Sequence, residues 1–114
     1  NLKNQPGGVA IRRAMNASPA LRKMDREDNR KMAKEFSNAL FRHLGLVHPE
    51  KFYVAALTII EASLAITDLT FESPEDEAEQ LIKEFILMQN LFIKEKVKQL
   101  TEANEAEVKN EKTF

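Results

Sequence analysis

Met32, Phe36, Leu40 and Leu44 stand four residues apart, with Ala33, Ser37 and Phe41 beside them. At 3.6 residues per turn these positions form one apolar stripe of a helix. The pattern changes over residues 54–69, "VAALTIIEASLAITDL", where only Glu61 and Asp68 carry charge. There Ala55, Ala56, Ile59, Ala62, Ser63 and Ile66 fall on one side of a helix. Tyr53, Leu57, Ile60, Glu61 and Leu64 fall on another, and both sides are mainly apolar. A helix that is apolar all round is buried all round. A third stripe, wide and rich in large side chains, runs from Leu81 to Leu100 through Phe85, Met88, Phe92, Ile93 and Val97. Nothing in the chain alternates with the period of a strand, so the pattern predicts an all-α fold.

Turn and cap residues set the boundaries. The three Gly and four Pro all stand between periodic stretches. "NQPGG" opens a short helix over residues 9–16. Ser18 can cap a further turn with Pro19 in its first position, where the missing N–H is no loss. Asp25 is the expected N-cap of the next, longer helix, and Gly45 its stop. Pro49 starts the apolar helix, which is expected to reach about Thr70. Ser73 is the expected cap of the last helix. Pro74 opens that helix, and Glu75, Asp76 and Glu77 lie at the positive end of its dipole. The last helix is expected to end near Leu100. This divides the chain into a domain over residues 1–100 and a polar tail over 101–114 that is expected to fray. Short loops make neighbouring long helices antiparallel.

With 114 residues the chain has room for one core. A chain that short is not expected to surround its apolar helix unaided. The spacing therefore points to an antiparallel helical bundle completed between molecules: two long C-terminal helices from each of two chains form an intermolecular four-helix bundle. The expected seam joins Ile59, Ala62, Ser63 and Ile66 to Leu81, Phe85, Met88, Phe92 and Ile93. A tightly packed monomer, or a fragment of a larger core, would satisfy the same pattern.

Composition narrows the chemistry. No cysteine is present, which excludes disulfides and thiolate zinc sites and fits a reducing cytosol. The first ten residues lack the apolar core of a signal peptide. Glu61 and the amphipathic flanks argue against a membrane span. Net charge is −1, but residues 1–34 hold nine basic and three acidic groups, and residues 72–114 hold six and eleven. The basic third either looks toward nucleic acid or complements the acidic end. Arg12-Arg13, Arg22-Lys23, Arg26 and Arg30-Lys31 lack interleaved aromatics and read as solvated surface. No phosphate loop, nucleophile elbow or metal-binding His-Glu helix occurs, so neither enzyme activity nor a cofactor is expected. His43 and His48, five apart across Gly45, make no metal pair. His43 suits a helix C-terminus and His48 a cap before Pro49.

The stretch "PGGVAIRRAMNASPALRKMDREDNRKMAKEFSNALFRHLGL" (residues 6–46) resembles the C-terminal regulatory domain of tetracycline-repressor-type (TetR-family) regulators. The resemblance lies in Pro6-Gly7, in Ala17-Ser18-Pro19-Ala20-Leu21-Arg22, in Asp25-Arg26-Glu27 and in Asn29-Arg30 with Ala33. The alanine-rich helix, acidic turn and amphipathic last helix follow in the family's order. The resemblance covers about residues 6–100. It implies an all-helical homodimer whose last two long helices form the dimer bundle. It further implies a pocket for a small, apolar effector, and operator DNA bound only through an N-terminal helix-turn-helix. Ligand binding in such proteins shifts the spacing of the two DNA-reading heads. No such head precedes Pro6, so it is expected upstream, with its linker helix and the first helix of the regulatory domain.

Candidate pocket residues follow from that reading. Met15, Met32, Phe36, Leu40, Tyr53 and Leu57, with Met24 and Phe41, can line an adaptable apolar site or form ordinary core. Glu61 is a carboxylate in an apolar helix, costly unless paired. It is either a polar anchor for a cationic or hydroxylated ligand, or the partner of a base such as Arg12, Arg13 or Arg42. The competing function is a stand-alone helical interaction module with no ligand.

Overall fold

Ser18 begins the first helix as its sequence requires: its Oγ accepts the Leu21 N–H at 3.3 Å, and Pro19 follows. The computed structural model describes residues 18–113, in the order α1 (Pro19–Leu44), a 3-10 turn (Pro49–Phe52), α2 (Tyr53–Glu72) and α3 (Glu75–Thr113). No strand occurs among them. The short helix expected over residues 9–16 lies outside the described residues. The break expected at Asp25 is absent, and α1 runs through it. Residues 20–24 are good helix formers, so nothing there unwinds the chain.

Gly45 closes α1 in a left-handed conformation (φ 69°). Its N–H reaches the Arg42 carbonyl at 3.4 Å, and the Leu46 N–H reaches the Phe41 carbonyl at 2.9 Å. This is a Schellman closure, and it requires a residue at ease with positive φ. His48 also adopts positive φ (65°), with no side-chain cap bond. It stands at the expected cap position before Pro49, where its carbonyl accepts the Lys51 N–H at 3.1 Å, but its side chain makes no cap bond. Its Nδ1 lies 3.3 Å from Glu50 Oε1 instead. Pro49 opens one 3-10 turn before α2 becomes regular.

The hydroxyls of α2 explain how so apolar a helix carries so many Ser and Thr. Thr58, Ser63, Thr67 and Thr70 each donate to a carbonyl three or four residues earlier, at 2.6–3.1 Å. Each hydroxyl is satisfied within its own helix and asks nothing of a neighbour. Ser73 continues the series, donating to the Leu69 carbonyl at 2.7 Å. The cap expected for the last helix thus serves the end of α2. The first bond of α3 is Ala78 N–H to the Pro74 carbonyl, 2.8 Å. That helix also passes the end expected near Leu100 and continues to Thr113. Past Leu100 its Glu, Ala and Lys residues sustain helix by propensity.

The helices meet through small residues. On α1 the buried line is Asn29, Ala33, Ser37 and Phe41. It follows the Ala33, Ser37 and Phe41 side of the expected stripe, while Met32, Phe36 and Leu44 on its other side stay exposed. On α2 it is Ala55 and Ala56. Alanine and serine let two helices approach closely, so the large side chains move to the margins. Asn29 opposite Glu61, and Ser37 near Tyr53, make α1 and α2 antiparallel. α3 returns along the other flank of α2, with no close backbone approach to α1.

The fully buried apolar core is Ala33, Phe41, Phe52, Ala55 and Ala56. Phe52 is its centre, stacked on Phe36 (ring centroids 5.7 Å) and tilted against Phe41 (6.5 Å). Burying such a ring is worth about 1.5–3 kcal/mol. Leu40, Leu46, Tyr53, Leu57, Ile59, Ile60, Phe92 and Leu100 pack around it. By length and composition alone, Pro49–Glu72 is apolar enough to cross a membrane. Its middle carries Glu61, hydrogen-bonded to α1.

Candidate functional site

Two clefts open along the α1–α2 seam. The first lies near the start of α1. Arg22, Asp25 and Arg26 face Glu61, Leu64, Ala65 and Asp68 across about 160 Å³. Of its lining residues, Glu61 is held from behind by Asn29, whose Nδ2 donates to Glu61 Oε1 at 3.2 Å. Asn29 is only 1% exposed. Its amide solves the problem set by a carboxylate in an apolar helix, because a hydrogen bond offsets part of the charge's desolvation. Of the expected partners, Arg12 and Arg13 lie outside the described residues, and Arg42 is exposed near the far end of α1. Asn29 entered the sequence reading only as part of the family pattern and not as the partner of Glu61, yet a signal was there: it stands four residues before Ala33 and eight before Ser37, on the buried line.

The second cleft lies where the 3-10 turn meets α1. Lys34, Ser37 and Asn38 of α1 face Pro49, Glu50 and Tyr53 across about 340 Å³. The Ser37 hydroxyl is committed to the Ala33 carbonyl at 2.8 Å. Lys34, Asn38 and Glu50 remain as exposed polar groups around apolar walls of Pro49 and Tyr53. No period or motif flags these three residues. A surface notch between two elements appears only once the chain is folded.

The expected pocket residues take several places. Met15 lies outside the described residues. Met32 is exposed, and Phe36 is partly exposed while stacking on Phe52. Leu40 and Leu57 pack against the core. Tyr53 does so too and also lines the second cleft, while Glu61 lines the first. Of the expected seam, Ile59 and Phe92 pack on the protein's own core. Ala62, Ser63, Ile66, Leu81, Phe85 and Ile93 are half-buried, and Met88 is 64% exposed.

Beside the second cleft the turn is tied to the far end of α3. Lys51 Nζ pairs with Glu107 Oε1, and the Val47 N–H donates to Asn104 Oδ1 at 3.4 Å. The Lys51 ammonium, first by hydrogen bond and then by charge, holds the Glu107 carboxyl below its ordinary 4.5. The 3-10 turn therefore borders the cleft with Glu50 and grips α3 with the next residue.

No three His, Asp or Glu side chains among the described residues are grouped to hold a metal ion. What the fold offers is an all-helical domain with open clefts on one seam and apolar surface on its outer helices. Residues 2–92 match the family described as tetracyclin repressor-like, C-terminal domain. The match covers well over half the chain, and the chain belongs to that family. No curated protein and no solved structure matches it significantly.

Proposed function

We propose that the chain is the dimerising, effector-sensing domain of a cytoplasmic transcription regulator, and that it acts as a repressor. In this reading the last two helices, α2 and α3, pair with those of a second copy. An upstream helix-turn-helix reads the operator. A small molecule bound within the domain favours one dimer geometry over another, and the shift in population releases DNA.

One observation supports this above the others. Although α2 and α3 form an antiparallel pair, they keep Val54, Leu69, Ile82, Ile86, Leu87, Met88 and Leu91 exposed. Over residues 85–93, "FILMQNLFI", only Gln89 and Asn90 are polar. One helix neighbour cannot cover a segment that is apolar on every side. A two-fold partner covers a second side, consistent with the family's assembly.

Sedimentation equilibrium across micromolar dilution tests the reading, with Met88→Glu as the probe. Met88 is exposed in the protomer, so the variant keeps its helix content. A dimer that Met88→Glu converts to a folded monomer is the expected result. A wild-type protein that is already a folded monomer overturns the assembly and leaves a stand-alone helical module.

A further inference from the structure

The reading above leaves open where an effector sits and what its chemistry is. Resting on that reading, we propose that the second cleft, between α1 and the 3-10 turn, is a ligand site. Its ligand is a small molecule with a compact apolar body, a carboxylate at one end and a hydroxyl or amine at the other.

The volume of about 340 Å³ is at the lower end of ligand cavities, which run from about 300 to 1,000 Å³. It suits a body the size of one ring. Pro49 and Tyr53 line a cleft whose surface is mainly apolar, which favours a saturated or aromatic ring over an extended polar chain. The α1 side presents two donors one turn apart, the Lys34 ammonium and the Asn38 amide. Together they fit an anionic oxygen pair, and the ammonium makes that bond charge-assisted. The opposite side presents an acceptor, the Glu50 carboxylate, with the His48 Nδ1 3.3 Å away. A second carboxylate there would meet like charge, so the ligand's other end must donate. The Ser37 hydroxyl already donates to its own helix and does not compete.

The first cleft suits this role less well. It is less than half the volume, and its inner carboxylate is already bonded by Asn29.

The chain has one Tyr and no Trp, so intrinsic fluorescence reports on Tyr53 alone. The probe is trans-4-hydroxycyclohexanecarboxylate, which does not absorb where tyrosine does. Cyclohexanecarboxylate and cyclohexanol supply its two halves. Titrations are read by Tyr53 fluorescence and by amide shifts in a ¹⁵N-labelled sample. The expected result is saturable binding in the millimolar range, with shifts centred on Lys34, Asn38, Glu50 and Tyr53. Lys34→Gln then weakens both carboxylates about tenfold or more. Glu50→Ala removes the advantage of the hydroxylated probe over cyclohexanecarboxylate. All three polar residues are exposed, so these variants fold.

Shifts that stay linear, that centre on Asn29 and Glu61, or that ignore Lys34→Gln overturn the site. Sedimentation of the same samples separates the two readings. A dimer that fails to bind sinks the cleft alone. A monomer that binds sinks the assembly and keeps the cleft.

Discussion

The two halves of α2 live in different surroundings. Its first turns, with the 3-10 turn before them, meet Phe41 and Ala33 of α1 and Phe92 and Leu100 of α3, and every fully buried apolar residue among those described lies there. From Leu57 to the end of α2 no residue is fully buried, although nine of those sixteen residues are apolar. Three elements converge at the first end, whereas at the second α1 and α3 flank α2 without closing over it. Hydrophobic content alone therefore does not make a core. Burial needs neighbours on every side, and the second half of α2 lacks them among the described residues.

The sharpest way to break this comparison is to truncate one large side chain at each end. Phe52→Ala should lower stability by about 3–5 kcal/mol in urea unfolding, because a stacked, fully buried ring leaves a cavity. Leu69→Ala, at the open end, should change the stability of an isolated protomer by only about 0.5 kcal/mol. Similar losses at both sites would show that the far end of α2 is covered after all.

A smaller effect is expected at Asn29. Asn29→Ala leaves Glu61 without its amide donor and should lower stability by about 1.5–3 kcal/mol, the usual range for a hydrogen bond to a charged group. Pairing it with Glu61→Gln should recover part of that loss, and a double-mutant cycle measures the coupling. Additive losses would mean that the two groups do not stabilise one another.

Gly45→Ala isolates backbone from packing. A Cβ there meets no atom within 4 Å, so only the positive φ opposes it. The expected cost is about 1 kcal/mol in the same assay.

The smallest effect belongs to the Lys51–Glu107 pair. Its carboxyl titrates below its ordinary 4.5, so the stabilisation is present above that value. It is lost as pH falls through the lowered one. Both side chains are partly exposed, which keeps the contribution small and sensitive to salt. Amide exchange over residues 104–110 should quicken in Lys51→Gln at neutral pH and change little in α2. Unchanged exchange would detach the end of α3 from the 3-10 turn.

Much of this architecture was legible before folding. Ser18-Pro19, Gly45 and Pro49 act locally, through a cap bond, a left-handed residue and a fixed φ, and each marks an element boundary. The repeat of apolar residues identified three long helices, and Glu61 stood out as a charge needing a partner. Asp25, Ser73 and Leu100 misled because each is an adequate signal with a stronger competitor nearby. At Asp25 a helix already under way simply continues. At Ser73 a carbonyl of the preceding helix captures the hydroxyl. Beyond Leu100 propensity and the contacts of Asn104 and Glu107 carry the helix on without an apolar stripe. Of the candidate sites, Tyr53 and Glu61 were visible as unusual residues in an apolar run. Lys34, Asn38 and Glu50 were not, since each is an ordinary exposed polar residue until the turn is laid against α1.

The sequence by itself determined the all-helical class, the main boundaries and the excess of apolar surface, because caps, turns and periodicity act over a few residues. Only the tertiary structure decided which line of α1 is buried, that Asn29 answers Glu61, and where the clefts open. Those depend on how closely two helices approach, and the small side chains that permit the approach carry no strong signal of their own along the chain.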